Sequence, residues 1–222
     1  MSSYIVFFML SISFISATSR ADSLCRELFS AIENNDESKV LMLSYKYGKK
    51  AGQCVDNFGF NAMHFFASIS KNLNVFYMLK YMAKADLNAL NDYQQTPLML
   101  AAHTGNKAAV KFLLSEGKVI KGLNTQDKHG RCALHGAVLA NHASMVELLL
   151  SYDGIVGSID LDLKDNNQKT AYMLAWDMQL DEIKRIFQRH SESLYSDRLM
   201  SKDVIPIFLP PPIDTRYSIN NG

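Results

Sequence analysis

The sequence predicts an all-α solenoid, a row of stacked helix pairs joined by short turns, and three observations carry that expectation. A segment of roughly 35 residues recurs along the chain. Each copy holds two apolar stretches at helical spacing, most of them parted by a glycine or asparagine. Of the 222 residues, 48% are hydrophobic and 20% charged, enough apolar side chain for one continuous core. The segments Asp56–His64, Asn91–Met99, Asp127–His135 and Asp165–Met173 align without gaps, and their sixth positions, Asn61, Thr96, Cys132 and Thr170, lie 35, 36 and 38 residues apart. A weaker first copy begins at Arg26, 35 residues before Asn61. One such helix pair cannot bury its apolar face alone, so neighbours must stack.

Taken in order, the chain opens on Tyr4–Ile15, which carries no charge, followed by Ser16, Ala17, Thr18 and Ser19 before Arg20. This pattern predicts a signal peptide over residues 1–21 and an exported protein, secreted or periplasmic; the apolar stretch is shorter than the roughly 20 residues a spanning helix needs. Cleavage before Arg20 and before Asp22 both suit the small-residue requirement. No Lys or Arg precedes the apolar stretch, so an uncleaved membrane anchor and an ordinary buried helix stay open beside the signal.

Residues 22–190 form the repeat domain, with degenerate first and last copies. The third copy is the clearest. Thr96 caps a helix whose first residue is Pro97, Leu98, Ala101 and Ala102 follow on one face, Gly105 ends it, and Ala109, Val110 and Phe112–Leu114 form the second helix before Gly117. Asn35 and Asn141 hold the place of Gly105 in the first and fourth copies, which keeps the left-handed turn. End repeats need polar outer faces, expected here from Glu33–Asp36 with Lys39 and from Asp181, Glu182, Lys184, Arg185, Gln188 and Arg189. Residues 191–222 are a C-terminal extension with Pro206 and Pro210–Pro212; its Ile207, Phe208 and Leu209 suit packing on the last repeat or engaging a partner.

From Ser23 to His190 the pattern resembles the ankyrin repeat, whose motif opens Asp-x-x-Gly-x-Thr-Pro-Leu-His. Asp56, Gly59 and His64 match it in the second copy, Thr96, Pro97 and Leu98 in the third, Asp127, Gly130, Leu134 and His135 in the fourth, and Asp165 and Thr170 in the fifth. Asn61 and Cys132 replace the capping Thr, Gln94 and Gln168 replace the Gly, and Trp176 fills a small-residue position. The resemblance implies short β-hairpin tips before each first helix and a concave protein-binding wall made by tips and inner helices. It also implies a monomeric interaction module, in some exported bacterial relatives a periplasmic support protein or an effector acting on host proteins. Because adjacent hairpins lie side by side in that arrangement, Cys25 and Cys54 come near disulfide range; two unrelated half-buried cysteines are the other reading.

Chemistry is sparse. With 23 Lys+Arg against 22 Asp+Glu, the chain lacks the basic excess that nucleic-acid binding needs. No Gly-rich phosphate loop, nucleophile elbow or paired-Cys spacing occurs, so no enzyme activity, small-molecule substrate or cofactor is expected; an enzyme or metal site assembled across repeats, without a local signature, is the alternative. His129-x-x-Cys132-x-x-His135 has ligand types at tight spacing, yet its members fall at tip, cap and first-turn positions, and the resemblance makes His135 and His64 structural; no metal is expected. Register places Phe58 and Phe60, Tyr93 and Gln95, His129 and Arg131, and Lys169 on successive tips, with His103 on an inner helix. These form the expected partner-binding set, running from an aromatic to a basic end. Phe58 and Phe60 either face a partner or pack on neighbouring tips.

Overall fold

The computed structural model describes residues 23–70, 72–115, 122–153 and 159–199, with side chains through 193. The expected signal segment 1–21 and the Pro-rich stretch 205–213 lie outside the described residues. Eleven α-helices occur among them: α1 Ser23–Glu33, α2 Glu37–Tyr47, the short α3 Lys49–Gly52, α4 Ala62–Ile69, α5 Leu73–Tyr77 running into a π-helical turn Met78–Met82, α6 Pro97–Thr104, α7 Lys107–Ser115, α8 Ala133–Leu139, α9 Ala143–Leu150, α10 Ala171–Asp177 and α11 Asp181–Leu199. They form five antiparallel pairs, α1/α2, α4/α5, α6/α7, α8/α9 and α10/α11. The first helices stack in chain order, α1 on α4 on α6 on α8 on α10, so the solenoid expectation holds.

Capping sets the helix starts. Thr96 Oγ1 accepts from the Met99 amide and Thr170 Oγ1 from the Met173 amide, each at 3.2 Å, while Asn61 Oδ1 accepts from Met63 and His64, both at 3.0 Å. Left-handed residues set the turns between paired helices: Asn35, Gly105 and Asn141 as expected, with φ of 54°, 75° and 55°, and Gln179 at 56° in the last repeat. Each turn is closed by an amide reaching back into the first helix, Asp36 to Ala31 O (2.8 Å), Asn106 to Ala101 O (2.9 Å), His142 to Ala137 O (2.9 Å) and Leu180 to Ala175 O (2.9 Å). The second repeat departs from this rule. Ser70 occupies the turn with φ −83°, and the Asn106 side-chain amide of the next repeat satisfies Ser70 O at 2.7 Å and Ala67 O at 3.1 Å.

A continuous apolar core runs along the array. Phe29 stacks on Phe65 at 4.4 Å between ring centroids, Phe66 meets Phe76 at 5.3 Å, and Phe76 meets Phe112 at 5.2 Å, so ring contacts tie the first repeat to the second and the second to the third. Gly52 lets α3 approach the chain after the π-helical turn: a Cβ there would lie 2.1 Å from Ala83 O. Cys25 of α1 and Cys54, just beyond α3, form a disulfide with Cα atoms 5.1 Å apart; Cys132 is free and buried.

Three features differ from sequence expectation. The hairpins are turns without strands among the described residues, with one bridge, Val55 to Asn61. The sequence pattern ends at His190 but α11 continues to Leu199, anchored by His190 Nε2 on Asp153 Oδ2 at 3.2 Å. The first repeat's outer face is less polar than expected, since α2 exposes Leu41, Met42 and Tyr45. Trp176 explains itself: the residues at its register in earlier repeats, Ala67, Ala102 and Val138, are buried under a following helix pair, whereas beyond α11 no such pair is present among the described residues. The indole is half-exposed, and Lys184 Nζ covers it at 4.5 Å.

The cystine spans 29 residues of the chain and closes the first repeat onto the second. Replacing it in a Cys25→Ser/Cys54→Ser variant is expected to lower the stability of the amino-terminal repeats by about 3 kcal/mol in the loop-entropy account. Urea unfolding measures this, and wild type with its disulfide reduced should match the variant.

Candidate functional site

Each of the four tips among the described residues is built on one side-chain oxygen. Asp56 Oδ1 accepts the Phe58 and Phe60 amides, both at 2.8 Å. Asn91 Oδ1 accepts those of Tyr93 and Gln95, both at 2.9 Å. Asp127 Oδ1 accepts those of His129 (2.8 Å) and Arg131 (2.9 Å), and Asp165 Oδ1 those of Asn167 (2.9 Å) and Lys169 (3.0 Å). The fourth residue of each tip turns the chain at positive φ: Gly59 and Gly130 as the motif expects, and Gln94 and Gln168 at 59° and 61°. Glutamine there is strained, and the paired amide bonds hold it in place.

The tips are also joined to one another. The Asp92 amide donates to Phe58 O at 2.9 Å, Lys128 to Tyr93 O at 3.1 Å, and Asn166 to His129 O at 2.9 Å. Beneath them, His64 Nδ1 receives the Asn61 amide at 3.1 Å and Nε2 meets Gln95 O at 2.9 Å. A carbonyl can only accept, so the His64 proton sits on Nε2. His135 repeats the arrangement, with Nε2 3.1 Å from Lys169 O and Nδ1 3.1 Å from Cys132 Sγ. Burial pushes the His64 pKa down to about 4 and lowers those of His135 and His103 as well. The Cys132 thiol is raised, again chiefly by burial. Burial raises Asp56 too, against the two amides that hold its carboxylate.

This geometry decides which of the expected wall residues reach solvent. Phe58 is 38% exposed and stacks on Tyr93 at 6.5 Å, an aromatic pair bridging the second and third tips. Phe60 is a correction. It is 7% exposed, edge-on to Tyr93 (6.4 Å), Phe65 (6.4 Å) and His64 (5.6 Å), because its place beside the cap turns it inward and makes it the floor beneath Tyr93. Lys128 and His129 are exposed, while Gln95, Arg131 and Lys169 are partly covered. Gln95 Oε1 accepts from Asn91 Nδ2 at 3.1 Å. His103, also partly covered, lies 3.4 Å from Gly136 O. The basic end is weaker than expected, since Lys169 pairs with Asp177 at 3.2 Å on the adjoining inner helix. The spacing of the repeats does not reveal that pair, because Lys169 and Asp177 meet only where the last tip folds over its own inner helix. No group of three or more metal-ligating side chains occurs among the described residues: Cys132 meets His135, and His129 does not join them.

Comparison with known proteins agrees with the repeat register. A model described as ankyrin repeats in three copies matches residues 28–122, and a single ankyrin-repeat model matches residues 129–166, together more than half of the chain. Inversin of Danio rerio is 40% identical over 67 residues, 30% of this chain and 6% of its own length. A putative ankyrin repeat protein of Rickettsia bellii is 30% identical over 129 residues, 57% of this chain and 47% of its own. Rabankyrin-5 of Mus musculus is 35% identical over 81 residues, 36% of this chain and 6% of its own. The matched segments thus span less than half the length of each relative.

A histidine held neutral inside the fold makes stability depend on pH. The His64 pKa in the fold lies below its unfolded value near 6.5, so the unfolded chain takes up the proton first and stability falls as pH drops from about 6.5 to about 4. His64→Met, which places here the residue found at the same register in Met99 and Met173, is expected to lower stability at pH 7 and to flatten much of that fall. Urea unfolding across this pH range measures both effects.

Proposed function

The chain belongs to the ankyrin-repeat family, and from that premise we propose that it is an exported, non-enzymatic adaptor holding a protein partner along the wall formed by its tips and inner helices. Ankyrin repeats indicate a protein–protein interaction module, in general without catalysis. The observation that carries the finer reading is the Phe58–Tyr93 pair: two partly exposed aromatic rings on adjacent tips that are joined by the Asp92-to-Phe58 backbone hydrogen bond, with Tyr93 lying against buried Phe60. Aromatic side chains held this firmly lose little entropy on binding and are enriched among the residues that dominate interfaces. Lys128, His129 and Arg131 on the next tip add donors and positive charge, suiting a partner segment that pairs an apolar residue with acidic or carbonyl groups further along.

Export is supported by two features. Tyr4–Ile15 with the small residues after it has the composition of a cleaved signal. The Cys25–Cys54 disulfide belongs to an oxidising compartment. The adaptor acts there as a rigid monomer whose wall selects the partner.

Affinity capture with the exported protein tests the assignment. A Phe58→Ala/Tyr93→Ala/Arg131→Ala variant is expected to lose partner capture by about 100-fold or more while melting like wild type, because these side chains lie outside the stacked core. Unchanged capture by the folded variant refutes the wall. Sequencing the mature amino terminus tests export, with Arg20 or Asp22 expected first; a chain that still begins at Met1 overturns cleavage.

A further inference from the structure

The outer face of the first three repeats has a composition that neither the stacking nor the tip wall requires. Leu41, Met42 and Tyr45 of α2 lie exposed, Tyr45 at 81%, and beside them Leu73, Tyr77 and Tyr81 of α5 and its π-helical continuation, Tyr81 at 58%. They form one surface rather than scattered side chains. α2 packs beside α5 and the π-helical turn, Tyr77 stacks on Tyr81 at 6.0 Å, and Tyr77 meets Phe112 of α7 at 5.6 Å. The same helices and the residues just beyond them carry lysines: Lys46 and Lys49, Lys80 and Lys84, Lys107 and Lys111, all exposed except the partly covered Lys80. The outer helices of these three repeats, with the π-helical turn, carry a single acid, Glu37, whose carboxylate is already engaged by the side-chain amides of Asn72 and Asn74.

We propose that this face docks on an anionic lipid bilayer. A bilayer surface offers phosphate at the depth the lysine heads reach and acyl chain just below it, where leucine, methionine and the bodies of tyrosine rings insert. The face matches that order, with apolar and aromatic side chains interleaved with lysine over three adjacent helices, and it is open rather than grooved. A second copy meeting the same face would oppose like charge to like charge. Leu41, Met42 and Leu73 have no π-face for a base to stack on, which disfavours single-stranded nucleic acid. The docking is peripheral, since no described helix is long and apolar enough to cross a membrane. It also lies on the repeats that follow Tyr4–Ile15, the segment whose composition directs the chain to a membrane. The tip wall stays available to a protein partner while the outer face is docked.

Flotation of the full chain with vesicles of phosphatidylcholine alone, and of phosphatidylcholine with about 30% phosphatidylglycerol, tests the proposal, because anionic lipid attracts each juxtamembrane lysine. Arg20 is the only charged side chain in residues 1–21, so that segment adds little to any difference between the two vesicle types. Wild type is expected to favour the anionic vesicles by about tenfold or more, and the ratio should collapse in a Lys84→Glu/Lys107→Glu/Lys111→Glu variant and in about 0.5 M salt. A Leu41→Ser/Tyr45→Ser/Tyr81→Ser variant should lose most of the anionic-vesicle binding while melting like wild type. Equal partition of wild type between the two vesicle types overturns the proposal, as does an undiminished ratio in the folded lysine variant. Tighter binding to a thymidine oligonucleotide than to anionic vesicles likewise overturns it, making the face a polyanion site.

Discussion

One side-chain oxygen at the head of each tip, on Asp56, Asn91, Asp127 or Asp165, receives two backbone amides, and the arrangement of the whole array depends on it. That pair of bonds folds five residues into a fixed turn, sets the direction in which the following helix starts, and aligns the carbonyl that the next tip's amide will use. Neutral Asn91 does this as well as the three aspartates, so the geometry of the acceptor matters more than its charge. Because each tip hydrogen-bonds to the one before it, the repeats are spaced by backbone contacts as well as by side-chain packing. The wall keeps its shape even where the helices beneath vary, as in the second repeat with its Ser70 turn and π-helical continuation.

Buried polar groups carry the same coupling into the interior. His64 and His135 each join the first turn of one inner helix to the tip carbonyl of the next repeat, and Asn106 joins the third repeat to the open turn of the second. Burying them costs solvation, which appears as the depressed histidine pKa values, and the hydrogen bonds offset it. The cystine ties the first repeat, which among the described residues has a neighbour on one side only, to the second. At the other end α11 runs on to Leu199, and His190, paired with Asp153, anchors it to the preceding repeat.

The molecule therefore presents two kinds of surface. The tips hold side chains rigidly at a fixed spacing, which suits recognition of one defined partner. The outer helices of the first three repeats hold exposed Leu, Met and Tyr among lysines, which suits a surface whose chemistry is layered rather than specific. A formal net charge of +1 conceals this division, since the outer helices of the first three repeats carry several lysines against the single acid Glu37.

The repeat register, the helix caps at Thr96 and Thr170 and the turns at Asn35, Gly105 and Asn141 were legible in sequence, because each is a local effect: a hydroxyl near an amide, or a residue that tolerates positive φ. The identity of the tip residues was legible for the same reason. Exposure was not. Phe58 and Phe60 are two residues apart on one tip, and only the packing of Tyr93 over Phe60 decides that one faces solvent and the other the core. The pairing of Lys169 with Asp177 and the exposure of Trp176 depend on which helix lies opposite, a relation that spacing alone does not contain. The outer face was hidden most completely, since Met42, Tyr77 and Phe112 become neighbours only when the three repeats stack, and a side chain's solvation is set by what the tertiary structure places beside it.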